Sequence, residues 1–258
     1  MCFRSLRSRK PETDNESPWQ VTKLCGPEPL TKYVVIGVVS LQIACAYFLR
    51  NYSFFSWQFW ALAYVVGATA NQNLFLAIHE ISHNLAFRSP TANRLFAIIA
   101  NLPIGIPYSA SFRPYHLTHH KSLGVDGLDT DLPTALEAVF LDSIFGKAFF
   151  CTFQILFYAI RPMTVFPVPF TWVSATNLAV QFFFDYVILS TMGKQAMLYF
   201  LLSSFLAGSL HPLAGHFIAE HYVFDPASGG DETFSYYGPL NALTYNVGYH
   251  KCARALFD

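Results

Sequence analysis

The chain has 258 residues, of which 53% are hydrophobic and only 12% charged, with 26 Phe and 14 Tyr. A soluble domain carries about 25% charged residues, so the composition points to an all-α, polytopic membrane protein. Lys+Arg and Asp+Glu both number 16, a balance that leaves no electrostatic footprint for a nucleic-acid partner.

Five cysteines (Cys2, Cys25, Cys45, Cys151, Cys252) contain no CxxC pair, which argues against a zinc ribbon and a disulfide framework. Residues 1–32 are polar and basic and read as a cytosolic tail. No apolar core follows within the first 30 residues, as a cleavable signal peptide requires, and Met1-Cys2 lacks the glycine needed for myristoylation. Residues 33–49 form the first predicted span, short but within the range of roughly 17–25 residues that cross a bilayer. Arg50-Asn51-Tyr52 turns the chain into a second span over 54–75, with Trp57 and Trp60 suited to an interfacial belt. The stretch 79–170 is mixed. Pro103, Gly105 and Pro107 interrupt any helix through 101–107. Residues 145–160 read as an interfacial helix, stopped by Arg161-Pro162 and short for a span. A third span is predicted over 172–190, with Asp185 snorkelling near its end. A fourth and weakest span follows over 196–210.

Lysine and arginine number six in residues 1–32 and six in 79–170, against one in each short turn, Arg50 and Lys194. The positive-inside rule then gives four helices in two hairpins, with both termini and a histidine-bearing cap on the cytosolic side. Two histidine boxes lie in that cap. His79-x-x-x-His83 follows the second span, and His116-x-x-His119-His120 lies further on. Helical positions three and four apart share one face, so each box aims its rings at one point. Neutral imidazole ligates iron, zinc or copper. Single histidines on apolar segments are ordinarily structural, but two boxes at ligand spacing point to a metal centre. His211, His216 and His221 follow the fourth span, and one of them is expected to complete the ligand set; His211, before Pro212, reads as structural.

HEISH is also the HExxH motif of zinc proteases, in which a glutamate (here Glu80) acts as base. One zinc would need only one further protein ligand, whereas this chain offers a second complete box. A surplus of histidines fits two metals, and two histidine-held irons suit O2 activation.

The segments LAIHEISHNLAF (76–87), ANLPIGIPYSASF (100–112), YHLTHHKSLGVDGLDTDLPT (115–134), LHPLAGHFIAEHYVF (210–224) and ETFSYYGPLNALTYNVGYH (232–250) carry a more specific signal. Through them the chain resembles the membrane fatty-acyl desaturases and hydroxylases. Within that group it resembles the sphingolipid Δ4-desaturases, which convert dihydroceramide to ceramide, over nearly all of residues 28–250. The resemblance implies an endoplasmic reticulum enzyme with two Fe ions held by His79, His83, His116, His119, His120, His221 and His250, with His216 as a competitor of His221. It implies O2 as co-substrate, electrons from NADH via cytochrome b5 and its reductase, and loss of hydrogen from C4 and then C5 of the long-chain base. C4-hydroxylation begins with the same abstraction and stays open as an alternative, as do the zinc protease and a non-catalytic scaffold. The loop 126–131 is expected to be solvated rather than part of an iron site.

The chain departs from the family pattern after His250. There a glutamate and a histidine pair are expected, but Lys251-Cys252-Ala253-Arg254 follows. Residues 33–250 therefore read as an incomplete desaturase domain and 251–258 as a divergent tail, as at a splice-boundary or gene-model error. The segment before Gly26 also lacks the family's aromatic motif. Loss of two ligands would leave one iron under-coordinated, so little or no activity is expected of this 258-residue chain.

Overall fold

A computed structural model describes residues 26–122, 125, 127–132, 134–165, 167–217 and 235–248. The described residues contain helices and no strand. Eight α-helices follow in order: α1 (Leu30–Leu49), α2 (Trp57–Ser82), α3 (Pro90–Asn101), α4 (Ser109–Lys121), α5 (Ala135–Leu141), α6 (Ile144–Val165), α7 (Trp172–Thr191) and α8 (Lys194–Ala207). Four of them (α1, α2, α6 and α7) are long and apolar enough to cross a membrane. Their outer faces leave aromatic residues such as Phe48, Phe182, Phe183 and Tyr186 exposed, as lipid contact requires.

Two spans differ from expectation. Helix α6 has 22 residues and runs through Arg161-Pro162, long enough to cross rather than only to lie on the surface. The apparent stop fails because Arg161 is not left alone. Its guanidinium meets the carboxylate of Glu137, both oxygens lying near Nε at 3.1 and 3.0 Å, and its Nη1 donates to the Asp131 carbonyl. Burial alone would raise the Glu137 carboxyl. The Arg161 contact and the Thr134 N–H outweigh it and hold the group below the usual carboxylate range. Thr134 and Glu137 also form a capping box that starts α5. Helix α8, expected over 196–210, has 14 residues. At 1.5 Å per residue that is roughly 21 Å, short of a bilayer core. It is instead packed among α1, α2 and α7.

Lipid supplies no hydrophobic force between helices, so close packing and polar contacts must hold such a bundle. Both are visible. Residues 63–68 of α2 form a π-helical segment, and Gly67 within it lies so near α8 that a Cβ would collide with Ser203. Buried Gln42 of α1 donates to the Gly67 carbonyl at 2.9 Å and to Asn71 Oδ1 at 2.5 Å, and accepts from Tyr199 of α8. Asn71 donates in turn to Ser204 Oγ at 2.8 Å. A second cluster gathers Leu49, Tyr52 and Phe54 with Ile188, Met192 and Ala196, which puts the α1–α2 and α7–α8 turns at one end of the bundle.

The histidine boxes are positioned by a bend. Helix α3 continues as a 3-10 turn (Leu102–Ile104), and Gly105 breaks it at φ 77°, a left-handed conformation that favours glycine. Helix α4 then departs at 114°. Asn101, fully buried, staples the corner. Its Oδ1 accepts from the N–H groups of Tyr108 (2.9 Å) and Ser109 (2.8 Å), while its Nδ2 donates to the Ile106 carbonyl and to Gln181 of α7. Those two N–H groups open the box-bearing helix and have no intrahelical acceptor.

Replacing Asn101 by Leu orphans both donors. The Asn101→Leu variant is expected to lose about 1–3 kcal/mol per buried group left unsatisfied, read as lowered resistance to denaturation in detergent. Unchanged stability would refute the staple.

Candidate metal centre

Helix α2 ends in a Schellman arrangement. Asn84 is left-handed at φ 61°, its N–H donates to the Ile81 carbonyl, and that of Leu85 donates to the Glu80 carbonyl. His83 is the C-cap residue of that stop. A second tie comes from α4, where Arg113 Nε donates to the otherwise unpaired Ser82 carbonyl at 3.0 Å. The last turn of α2 is thereby held against the middle of α4.

The result is a convergence of rings. One ligand nitrogen from each of His79, His83, His116 and His120 lies within 4.8 Å of the other three. His83 Nε2 and His116 Nε2 are 2.9 Å apart, and His120 Nε2 and His116 Nε2 are 3.1 Å apart. Phe112 stacks on His116 at 4.7 Å and 16°, fixing its plane. Burial, then His79 and His120, push His83 down to about 3. Burial, then the surrounding histidines, hold His116 well below the usual imidazole range. Both rings are neutral at physiological pH, the form that ligates a metal. Four convergent imidazoles suit iron, zinc or copper, so the residues present fit a metal.

The remaining expected ligands fall into three groups. His119 shares the helix but turns Nδ1 to Asp129 Oδ1 at 2.6 Å and to Asp131 Oδ2 at 3.4 Å. Asp129 is 4% exposed, so this part of the 126–131 loop is not solvated as expected. Its burial is made possible by the imidazole it meets. His216 lies apart from the four, with Nε2 2.5 Å from Gln72 Nε2, but it lines the same cavity. His221 and His250 lie outside the described residues. His211 is structural: its Nδ1 accepts from the Leu213 N–H and its ring packs edge-on against Tyr64.

That cavity has a volume of about 230 Å3. His79, His116, His119 and His120 form one wall, and Phe75, Ile104, Tyr108, Ile155, Leu201 and Phe205 supply most of the apolar remainder. Glu80 is not among its lining residues. It is buried, with Oε1 3.2 Å from His79 Nδ1. From the sequence, Glu80 has only the protease role and Asp129 only that of a solvated loop residue, while Phe112 and Arg113 carry no assigned role. Two of these contacts had a local signal, the adjacency of Glu80 to His79 and the i, i+4 spacing of Phe112 and His116 on one helix.

Residues 55–251 match a family model described as Fatty acid desaturase. Among curated proteins, the chain is 56% identical over 240 residues to a sphingolipid delta(4)-desaturase of Schizosaccharomyces pombe, covering 90% of this chain and 66% of the relative. It is 57% identical over 247 residues to one of Candida albicans, covering 90% and 67%. It is 46% identical over 233 residues to one of Gallus gallus, covering 90% and 71%. The chain thus spans about two thirds of the length of these relatives. No solved structure matches it.

The Schellman stop yields a direct test. Asn84→Gly preserves the left-handed residue and is expected to leave stability and metal uptake near those of the parent. Asn84→Val is expected to cost about 1–2 kcal/mol and to lower cobalt(II) uptake by displacing His83. Equal behaviour of the two variants would contradict the assignment.

Proposed function

The chain belongs to the fatty acid desaturase family, and from that premise we propose that its site is that of a sphingolipid Δ4-desaturase of the endoplasmic reticulum. The reaction is O2-dependent insertion of a trans C4–C5 double bond into the long-chain base of dihydroceramide, giving ceramide. One observation carries this reading: four imidazoles converge in a membrane protein, and three of them, His79, His116 and His120, line a mostly apolar cavity. A zinc protease would need Glu80 to face that cavity, which the position of its carboxylate against His79 does not favour.

His79, His83, His116 and His120 would hold iron, with His119, His221 and His250, or His216 in place of His221, as the further donors. Iron bound there supplies O2 activation. Overall, two hydrogens leave the substrate while O2 is reduced to two waters, with two electrons and two protons from the donor side. NADH, cytochrome b5 and its reductase supply the electrons at the cytosolic face. The protein's own part is positional. Burial keeps His83 and His116 unprotonated, Phe112 fixes the plane of His116, and Phe75, Ile104 and Leu201 accept an alkyl chain while excluding water. The short turns face the lumen, opposite the histidine end.

The test is expression in cells lacking Δ4-desaturase, with mass spectrometry of ceramide against dihydroceramide. Two chains are compared: the 258-residue chain, and one in which the residues after 250 are those of the Schizosaccharomyces pombe relative. The second is expected to form Δ4 product and to fall to background with His79→Ala, and the first shows what residues 1–258 do unextended. Dihydroceramide alone from both chains, or product that survives His79→Ala, would overturn the proposal. A C4-hydroxylated base as main product would place the chain with the hydroxylases.

A further inference from the structure

Asp129 is a buried carboxylate with two well-defined partners. Its Oδ1 accepts from the Asp131 N–H at 2.9 Å and lies 2.6 Å from His119 Nδ1. The side chains of His119 and Asp129 are only 3% and 2% exposed. A carboxylate is rarely buried unless it is paired and hydrogen-bonded, so such a contact is unusual in a loop that links two helices. An ionised carboxylate only accepts hydrogen bonds, so His119 Nδ1 must carry the ring proton. In a neutral ring that leaves the lone pair on Nε2, the atom with which His83, His116 and His120 approach one another. Glu80 Oε1 stands in the same relation to His79 Nδ1, at 3.2 Å. At His79 and His119, then, a carboxylate meets the Nδ1 side of the ring, while the Nε2 atoms of His83, His116 and His120 meet at the centre.

From this we infer that Asp129 is a positioning residue that fixes the tautomer and ring orientation of His119, presenting Nε2 to the metal centre. The inference rests on the metal-centre reading above. Hydrogen-bonded partners of ligating histidines set ligand direction and basicity, and their removal typically lowers metal affinity about 10–100-fold. Asp131 is the weaker partner, with Oδ2 3.4 Å from the same nitrogen. Its backbone N–H serves chiefly to hold the Asp129 oxygen in place.

The experiment is a double-mutant cycle read by cobalt(II) titration of the purified full chain in detergent, using the visible absorption of the bound ion. Asp129→Ala and His119→Ala are each expected to weaken binding about 10–100-fold. Combined, they are expected to weaken it no further than His119→Ala alone, because Asp129 acts only through that ring. Circular dichroism of the metal-free variants checks folding, and Asp129→Asn, nearly the same shape, carries the same cycle if the alanine variant does not fold. A further tenfold loss when Asp129→Ala is added to His119→Ala would overturn the inference, as would no loss from Asp129→Ala. If His79→Ala and His83→Ala also leave cobalt affinity unchanged, the metal centre itself fails; if they lower it while Asp129→Ala does not, only the positioning role does.

Discussion

Imidazole rings have no strong attraction for one another, yet four of them bring nitrogens within 4.8 Å at the meeting of α2 and α4. The scaffold must impose that approach. The Schellman stop at Asn84 fixes the last ring of α2, Arg113 ties that turn to α4, and Asn101 sets the direction in which α4 leaves α3. Each of these contacts satisfies backbone groups at a helix end, where donors or acceptors are left over. The site is built on helix termini, and their hydrogen-bonding demands do the positioning.

The membrane-embedded half of the molecule serves the same end. The Gln42–Asn71–Tyr199–Ser204 network crosses α1, α2 and α8, and Ser204 donates to the Ile104 carbonyl beside the α3 corner. In lipid such interhelical hydrogen bonds are worth about 0.6 kcal/mol on average, but several in series fix the rotation of α2 about its axis. That rotation decides where His79 points, since Asn71 and His79 lie on one continuous helix. The polar network and the histidine cluster are thus two parts of one constraint.

Much of this was legible in the sequence because it is local. Helical spacing marked both boxes, long apolar runs marked α1, α2 and α7, and Gly105 between two prolines marked the break before α4. What escaped depends on residues far apart in the chain. Arg161-Pro162 looked like the end of a helix, since nothing nearby in sequence announces that Glu137 neutralises Arg161 from another element. The Thr134-x-x-Glu137 capping signature was there to be read. The loop around Asp129 had the composition of a solvated turn, because carboxylates are rarely buried, and only the approach of His119 reverses that expectation. Helix α8 resembled a span in hydropathy, but its apolar residues face neighbouring helices as much as lipid.

The central claim is that His79, His83, His116 and His120 form one metal-binding centre. Anomalous diffraction at the iron edge, from crystals of the protein grown with Fe(II), tests it most directly. The account predicts an iron peak between the α2 and α4 imidazoles and its loss in crystals of a His116→Ala variant. An empty cluster, or iron bound only elsewhere, would contradict it.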